Sequence, residues 1–145
     1  MEYKKIVKIM ERKNLNRGYK KLEVWQDSVE LYVLVSKHLS KLPFVHQKSA
    51  SNTIDAAHSI LRNIPEGYCR KGIKEYLNFL YYALGSCGEL HSGCVAFRQS
   101  GIISDIVFEE IDAQHYKVEN KLLKLIESLQ KKLKTGEWDD SFIQT

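Results

Sequence analysis

The chain has 145 residues, 43% of them apolar and 28% charged, an ordinary globular balance that excludes wholesale disorder and a disulfide-dense miniature scaffold. Its length fits one compact domain and leaves no room for separate catalytic and substrate domains. With 22 Lys and Arg against 18 Asp and Glu the net charge is only +4, so a uniformly basic surface is excluded as well. Two prolines and eight glycines are too few for the many turns of a β-sandwich or barrel, which favours long helices. No stretch approaches eighteen uninterrupted apolar residues, and residues 1–20 are studded with lysine in place of an apolar secretory segment. The expectation is a cytoplasmic protein with no membrane partner, whose three cysteines (Cys69, Cys87, Cys94) are reduced thiols.

Residues 1–21 form a basic N-terminal arm, with eight Lys and Arg against two Glu, including Lys20 and Lys21 at its end. The remaining residues carry a net −2, so a polyanion is drawn first to the arm. Ile6, Ile9 and Met10 could make two helical turns, but Asn14–Gly18 breaks the pattern. From Leu22 to Leu42 no Pro or Gly intervenes, and Leu22, Trp25, Val29, Tyr32 and Leu39 recur at helical steps, predicting a rod of about 30 Å. A second stripe, Val24, Leu31, Val35 and Leu42, lies on a neighbouring face.

Pro43 ends this helix, and the polar run Gln47–Asn52 leads into Ile54, Ala57, Leu61 and Ile64, again with helical spacing. Pro65 and Gly67 are expected to end the second helix, with Gly67 supplying a left-handed closing residue. The third helix runs from about Ile73 to Ser100, with Ile73, Leu77, Leu80, Leu84, Cys87 and Cys94 on one side and Tyr76, Phe79, Ala83, Leu90 and Phe97 on another. Gly85, Ser86, Gly88, Ser92 and Gly93 within it are poor helix formers, which points to close approach of another backbone. After Gly101, the fourth helix spans roughly Ser104 to Leu133 on a stripe of Ile111, Val118, Leu122, Leu125 and Leu129, and residues 135–145 read as a tail.

Four helices with short connections predict an all-α, up-down-up-down four-helix bundle over residues 22–134. The doubled stripes on helices one and three further predict homo-oligomerisation, with Val24, Leu31, Val35, Tyr76 and Phe79 as interface residues, because a soluble monomer exposes little contiguous apolar surface.

Candidate chemistry is sparse. Cys87, His91 and Cys94 share one helix face and suit zinc chemically, with Cys69 and His58 as conceivable additions. Zinc sites more often use Cys-x-x-Cys loops and cysteine is commonly buried, so core packing is the preferred reading and neither metal nor cofactor is expected. No G-x-S-x-G elbow and no phosphate loop occur, and Glu66, Glu75 and Glu89 read as surface carboxylates, so no enzyme is expected. The corner after helix two collects Arg62, Arg70, Lys71 and Lys74 around Tyr68 and Tyr76. Such residues hold RNA by phosphate contact and base stacking, or pair locally with Glu66 and Glu75. Repetition of a weak site around a ring would add avidity.

The segments Leu22–Gln26, Ala56-Ala57, Ser59-Ile60, Asn63-Ile64, Glu66-Gly67, Arg70, Glu75-Tyr76, Phe79-Leu80, Gly85-Ser86 and Glu89-Leu90 resemble the four-helix-bundle family encoded by intervening sequences in bacterial 23S ribosomal RNA genes. The resemblance runs from about Leu22 to Leu133 through a pattern S-I-x-x-N-I-x-E-G, then E-[FY]-x-x-F-L and G-S-x-x-E-L. It implies a non-catalytic bundle assembling as a cyclic oligomer, with a pentamer favoured. A related branch, the accessory proteins of diversity-generating retroelements, implies nucleic acid and a reverse transcriptase as candidate partners. Val24-Trp25-Gln26 is nearer the intervening-sequence branch. The chain departs from the pattern at Ile54 and Asp55, where the family often has arginine, at Pro65, where it has alanine, and at His91, where it has glutamate. Glu66, Gly67 and Arg70 match the family corner.

Two functions follow as expectations. One is an oligomeric accessory factor binding RNA or DNA through Lys20, Lys21, Arg62, Tyr68, Arg70, Lys71 and Lys74. The other is a protein-interaction scaffold, to which nucleic acid is irrelevant.

Overall fold

The computed structural model describes residues 11–137. The apolar pattern of Ile6, Ile9 and Met10, the lysines Lys4, Lys5 and Lys8, and residues 138–145 of the expected tail lie outside the described residues. Four α-helices carry the fold: α1 (Glu23–Leu39), α2 (Gln47–Tyr68), α3 (Ile73–Gln99) and α4 (Asp105–Thr135), with 3-10 helices at Leu15–Lys21 and Phe44–His46.

Helix α1 packs on α2 and α4, and α3 packs on the same two, while the diagonal pairs do not meet. Successive helices run in opposite directions. Asp27 of α1 pairs with Lys121 and His38 with Glu110, so α1 and α4 are antiparallel. Tyr81 and Arg98 of α3 reach Gln130 and Asp105 of α4 in the same reversed order. The core between the four is built of aliphatic side chains such as Leu31, Ile60, Leu80, Leu90, Ile111 and Leu122, all buried. Ser104 caps α4 by accepting the Val107 amide at 3.1 Å, and Gly101 and Gly136 take left-handed φ of 74° and 72° where α3 and α4 end.

Several boundaries differ from the sequence reading. The polar run Gln47–Asn52 is the first turn and a half of α2, with Ala50 buried and the other five positions facing solvent, where no apolar stripe is needed. Pro65 lies inside α2, and Gly67 is neither left-handed nor exposed. A Cβ at Gly67 would stand 2.9 Å from Phe79 Cβ and from Tyr76 Cδ1, so this glycine serves the close approach of α2 and α3. Of the glycines in α3, Gly93 alone has this role, facing Thr53, whereas nothing lies within 4 Å of a Cβ built at Gly85 or Gly88.

The expected oligomer interface is corrected. Val24, Leu31, Val35 and Tyr76 are buried within the single chain, and Phe79 is half-buried on the α2–α3 seam beneath Arg70. In a square bundle each helix has two neighbours, so two stripes on one helix are consumed by the fold itself. The doubled stripes therefore carry no argument for a second copy.

Candidate nucleic-acid interface

The end of the basic arm is a docked element. Asn14 Oδ1 accepts the Arg17 amide at 3.0 Å, capping the 3-10 helix Leu15–Lys21. Tyr19 sets its ring edge-on against Trp25 at 5.1 Å and against Tyr68 at 6.3 Å, and Tyr68 meets Tyr76 at 6.0 Å. The Cys69 thiol donates to the Asn16 carbonyl at 3.3 Å, and Gln26 Nε2 donates to the Lys20 carbonyl at 2.7 Å. Gly18 sits close against this ring, since a Cβ at that position would stand 2.2 Å from Tyr68 Oη and the phenol would have to shift. The arm's last turn is thus held against the corner that follows α2.

This docking creates a cleft of about 690 Å3 lined by residues 11–15 and by Arg17, Gly18, Lys20, Lys21, Gln26 and Tyr68. Five of the lining residues are cationic, Arg12, Lys13, Arg17, Lys20 and Lys21, and Glu11 is the one carboxylate among them. Among the described residues none of the five cations pairs with a carboxylate, in contrast to Arg70, whose guanidinium meets Glu66 at 2.7 Å. Converging like charges repel one another, and an anion placed between them relieves that repulsion. Burial, and then the neighbouring Cys69, pushes the Tyr68 phenol above its ordinary value, so it stays neutral at physiological pH.

The seven expected nucleic-acid residues divide. Lys20, Lys21 and Tyr68 line the cleft. Arg62, Arg70, Lys71 and Lys74 are exposed but are not among its lining residues. Arg70 is engaged locally, bridged to Glu66 one turn earlier and stacked 5.0 Å over the Phe79 ring. The corner residues Glu66, Gly67 and Arg70 therefore build the α2–α3 junction. Arg12, Lys13 and Arg17 were legible as charges of the arm, but only the docking through Gly18 and Tyr68 brings them to one site.

The two cysteines of the cysteine–histidine set are packed as core, and the histidine between them is not. Cys87 and Cys94 are buried, and burial pushes their thiols up to about 12 and about 11. His91 is exposed and reaches Asp112 at 3.6 Å, while the buried His115 donates from Nε2 to the Cys87 carbonyl at 2.7 Å. Among the described residues no group of three or more such side chains is placed to hold a metal ion. A polar feature absent from the sequence reading is Asp27, buried in α1 and met by Lys121 and Lys117 of α4, with Glu23 3.4 Å from Lys121. The hydrogen bond to Asp27, chiefly, raises the Lys121 ammonium above its ordinary value.

The chain is thus an antiparallel bundle of four helices with a cleft lined by cationic side chains at one pole. No helix of the described residues is long and apolar enough to cross a membrane. The chain belongs to the 23S rRNA-intervening sequence protein family, whose model matches residues 20–132. Its fold is similar to that of a protein of unknown function from the S23 ribosomal protein family of Bacteroides thetaiotaomicron VPI-5482, at 21% identity and a TM-score of 0.65, over 71% of this chain and 97% of that one. No curated protein matches the chain significantly.

Proposed function

We propose that this protein is a non-enzymatic accessory factor that binds nucleic acid, RNA or DNA, through the basic pole of its bundle. The observation that carries the reading is the cleft at the docked arm, where five cations without carboxylate partners among the described residues surround one space. Neutralising phosphates and releasing their counterions supplies a sequence-independent driving force that a scattered basic surface would spread thin. Membership of the 23S rRNA-intervening sequence family supports the same reading.

Filter binding to single-stranded and to structured RNA across a salt series tests it. About five phosphate contacts give a slope of log affinity against log salt near −4.5, at about −0.9 per contact. Association that is absent at low salt, or insensitive to salt, would reject the reading.

A homo-oligomer, with the pentamer that the family resemblance implies, belongs to this proposal on a different footing from the one expected. Phe44 and Val45 in the turn between α1 and α2, and Ile106 at the start of α4, are 87%, 78% and 82% exposed at the pole opposite the cleft. Large apolar side chains so exposed favour a protein contact there, whether with a second copy or with the partner of a scaffold. Sedimentation equilibrium distinguishes the two: a multimer that dissociates in a Phe44→Ser, Val45→Ser variant supports self-association, and a monomer at micromolar concentration removes it.

A further inference from the structure

We infer that the cleft seats a single strand of nucleic acid in preference to a double helix, an inference that rests on the nucleic-acid reading above and specifies its ligand. Three observations carry it. The first is concavity. At about 690 Å3 the recess falls within the roughly 300–1,000 Å3 of pockets that enclose small ligands. A duplex is convex and is met by a helix or ribbon that projects into a groove, or by cations spread along a phosphate ridge. Here five cations line a recess.

The second observation is the arrangement of charge. Arg12 and Lys13 come from the segment before the 3-10 helix, and Arg17, Lys20 and Lys21 from the helix itself, so the charges reach the recess from two stretches of chain. In a 3-10 helix residues three apart eclipse, which places Arg17 and Lys20 in one row about 6 Å apart along the axis. That repeat is comparable to the step between successive phosphates of one strand. A strand lying in the recess is met by cations from both stretches at once, whereas the phosphates of a duplex lie on a convex surface.

The third is the wall formed by Tyr68. Aromatic walls beside a cationic track are the common feature of sites that hold unpaired strands without reading their sequence, because every base offers an apolar face. Tyr68 is fixed edge-on between Tyr19 and Tyr76, so it offers a rigid apolar border beside the charges.

Fluorescence anisotropy of the full chain with a labelled 20-nucleotide RNA, alone and annealed to its complement, tests the inference. The single strand is expected to bind about tenfold tighter, with a log–log salt slope near −3.5 for about five contacts at about −0.7 each. Replacing Lys20→Gln and Lys21→Gln should weaken the single strand about tenfold and reduce the slope by about 1.4. Lys131→Gln with Lys132→Gln, at the end of α4 and outside the cleft, should change its affinity less than about twofold. These are exposed side chains, so unchanged circular dichroism is expected of both variants. Equal or tighter binding of the duplex, or a single-strand affinity indifferent to Lys20 and Lys21, overturns the inference while leaving nucleic-acid binding intact. Failure of both probes to bind overturns the inference together with the reading beneath it.

Discussion

At the residue scale the three thiols are set apart by depth. Cys87 and Cys94 ionise near their ordinary 9.0 in an unfolded chain and are held up to about 12 and about 11 in the folded one. Folding therefore favours the protonated thiols. Their contribution is complete below pH 9.0 and is lost as the pH rises through about 11 and 12. The buried Tyr76 phenol, also raised, acts in the same direction. The melting temperature should fall steeply above pH 9, and a Cys87→Ala, Cys94→Ala variant should show a shallower decline over that range. At neutral pH a thiol reagent should label Cys69, which is half-buried, well before the other two.

At the scale of elements, the same residue type serves opposite purposes. Gly67→Ala drives a methyl group into Phe79 Cβ and the Tyr76 backbone, and should cost about 1–3 kcal/mol in urea denaturation. Gly88→Ala adds its methyl to open space within an exposed helical turn and should stabilise by up to about 1 kcal/mol. Opposite signs from the two variants are the check. Identical residues in one apolar pattern look alike in sequence, and only the register of α2 on α3 separates them. The four helices themselves were legible, because their stripes repeat at 3.6 residues and each break falls at Pro43, Gly101 or a polar cluster. The end of α2 was misread because Pro65 and Gly67 form a stop signal that packing against Tyr76 and Phe79 overrides. Asp27 lies between Val24 and Leu31 at stripe spacing, so a carboxylate among apolar positions was the available sign of the α1–α4 ion pair. Of the site, the charges could be read in the sequence. The cleft could not, since it depends on contacts between residues far apart in the chain, Gly18 and Tyr19 with Tyr68 and Asn16 with Cys69.

At the scale of the whole molecule, charge is sorted along the bundle. Residues 11–26, 62–75 and 122–137, which make up the pole bearing the cleft, hold thirteen Lys and Arg against six Asp and Glu. Residues 27–61 and 76–121 hold six against nine. The apolar Phe44, Val45 and Ile106 stand at the far pole, so a contact made there would leave the cationic pole facing outward. Such sorting amounts to a permanent dipole along the long axis of the bundle. In the field of a polyanion the molecule turns before it touches, so encounters begin with the correct pole forward, and added salt should slow arrival more than it hastens departure.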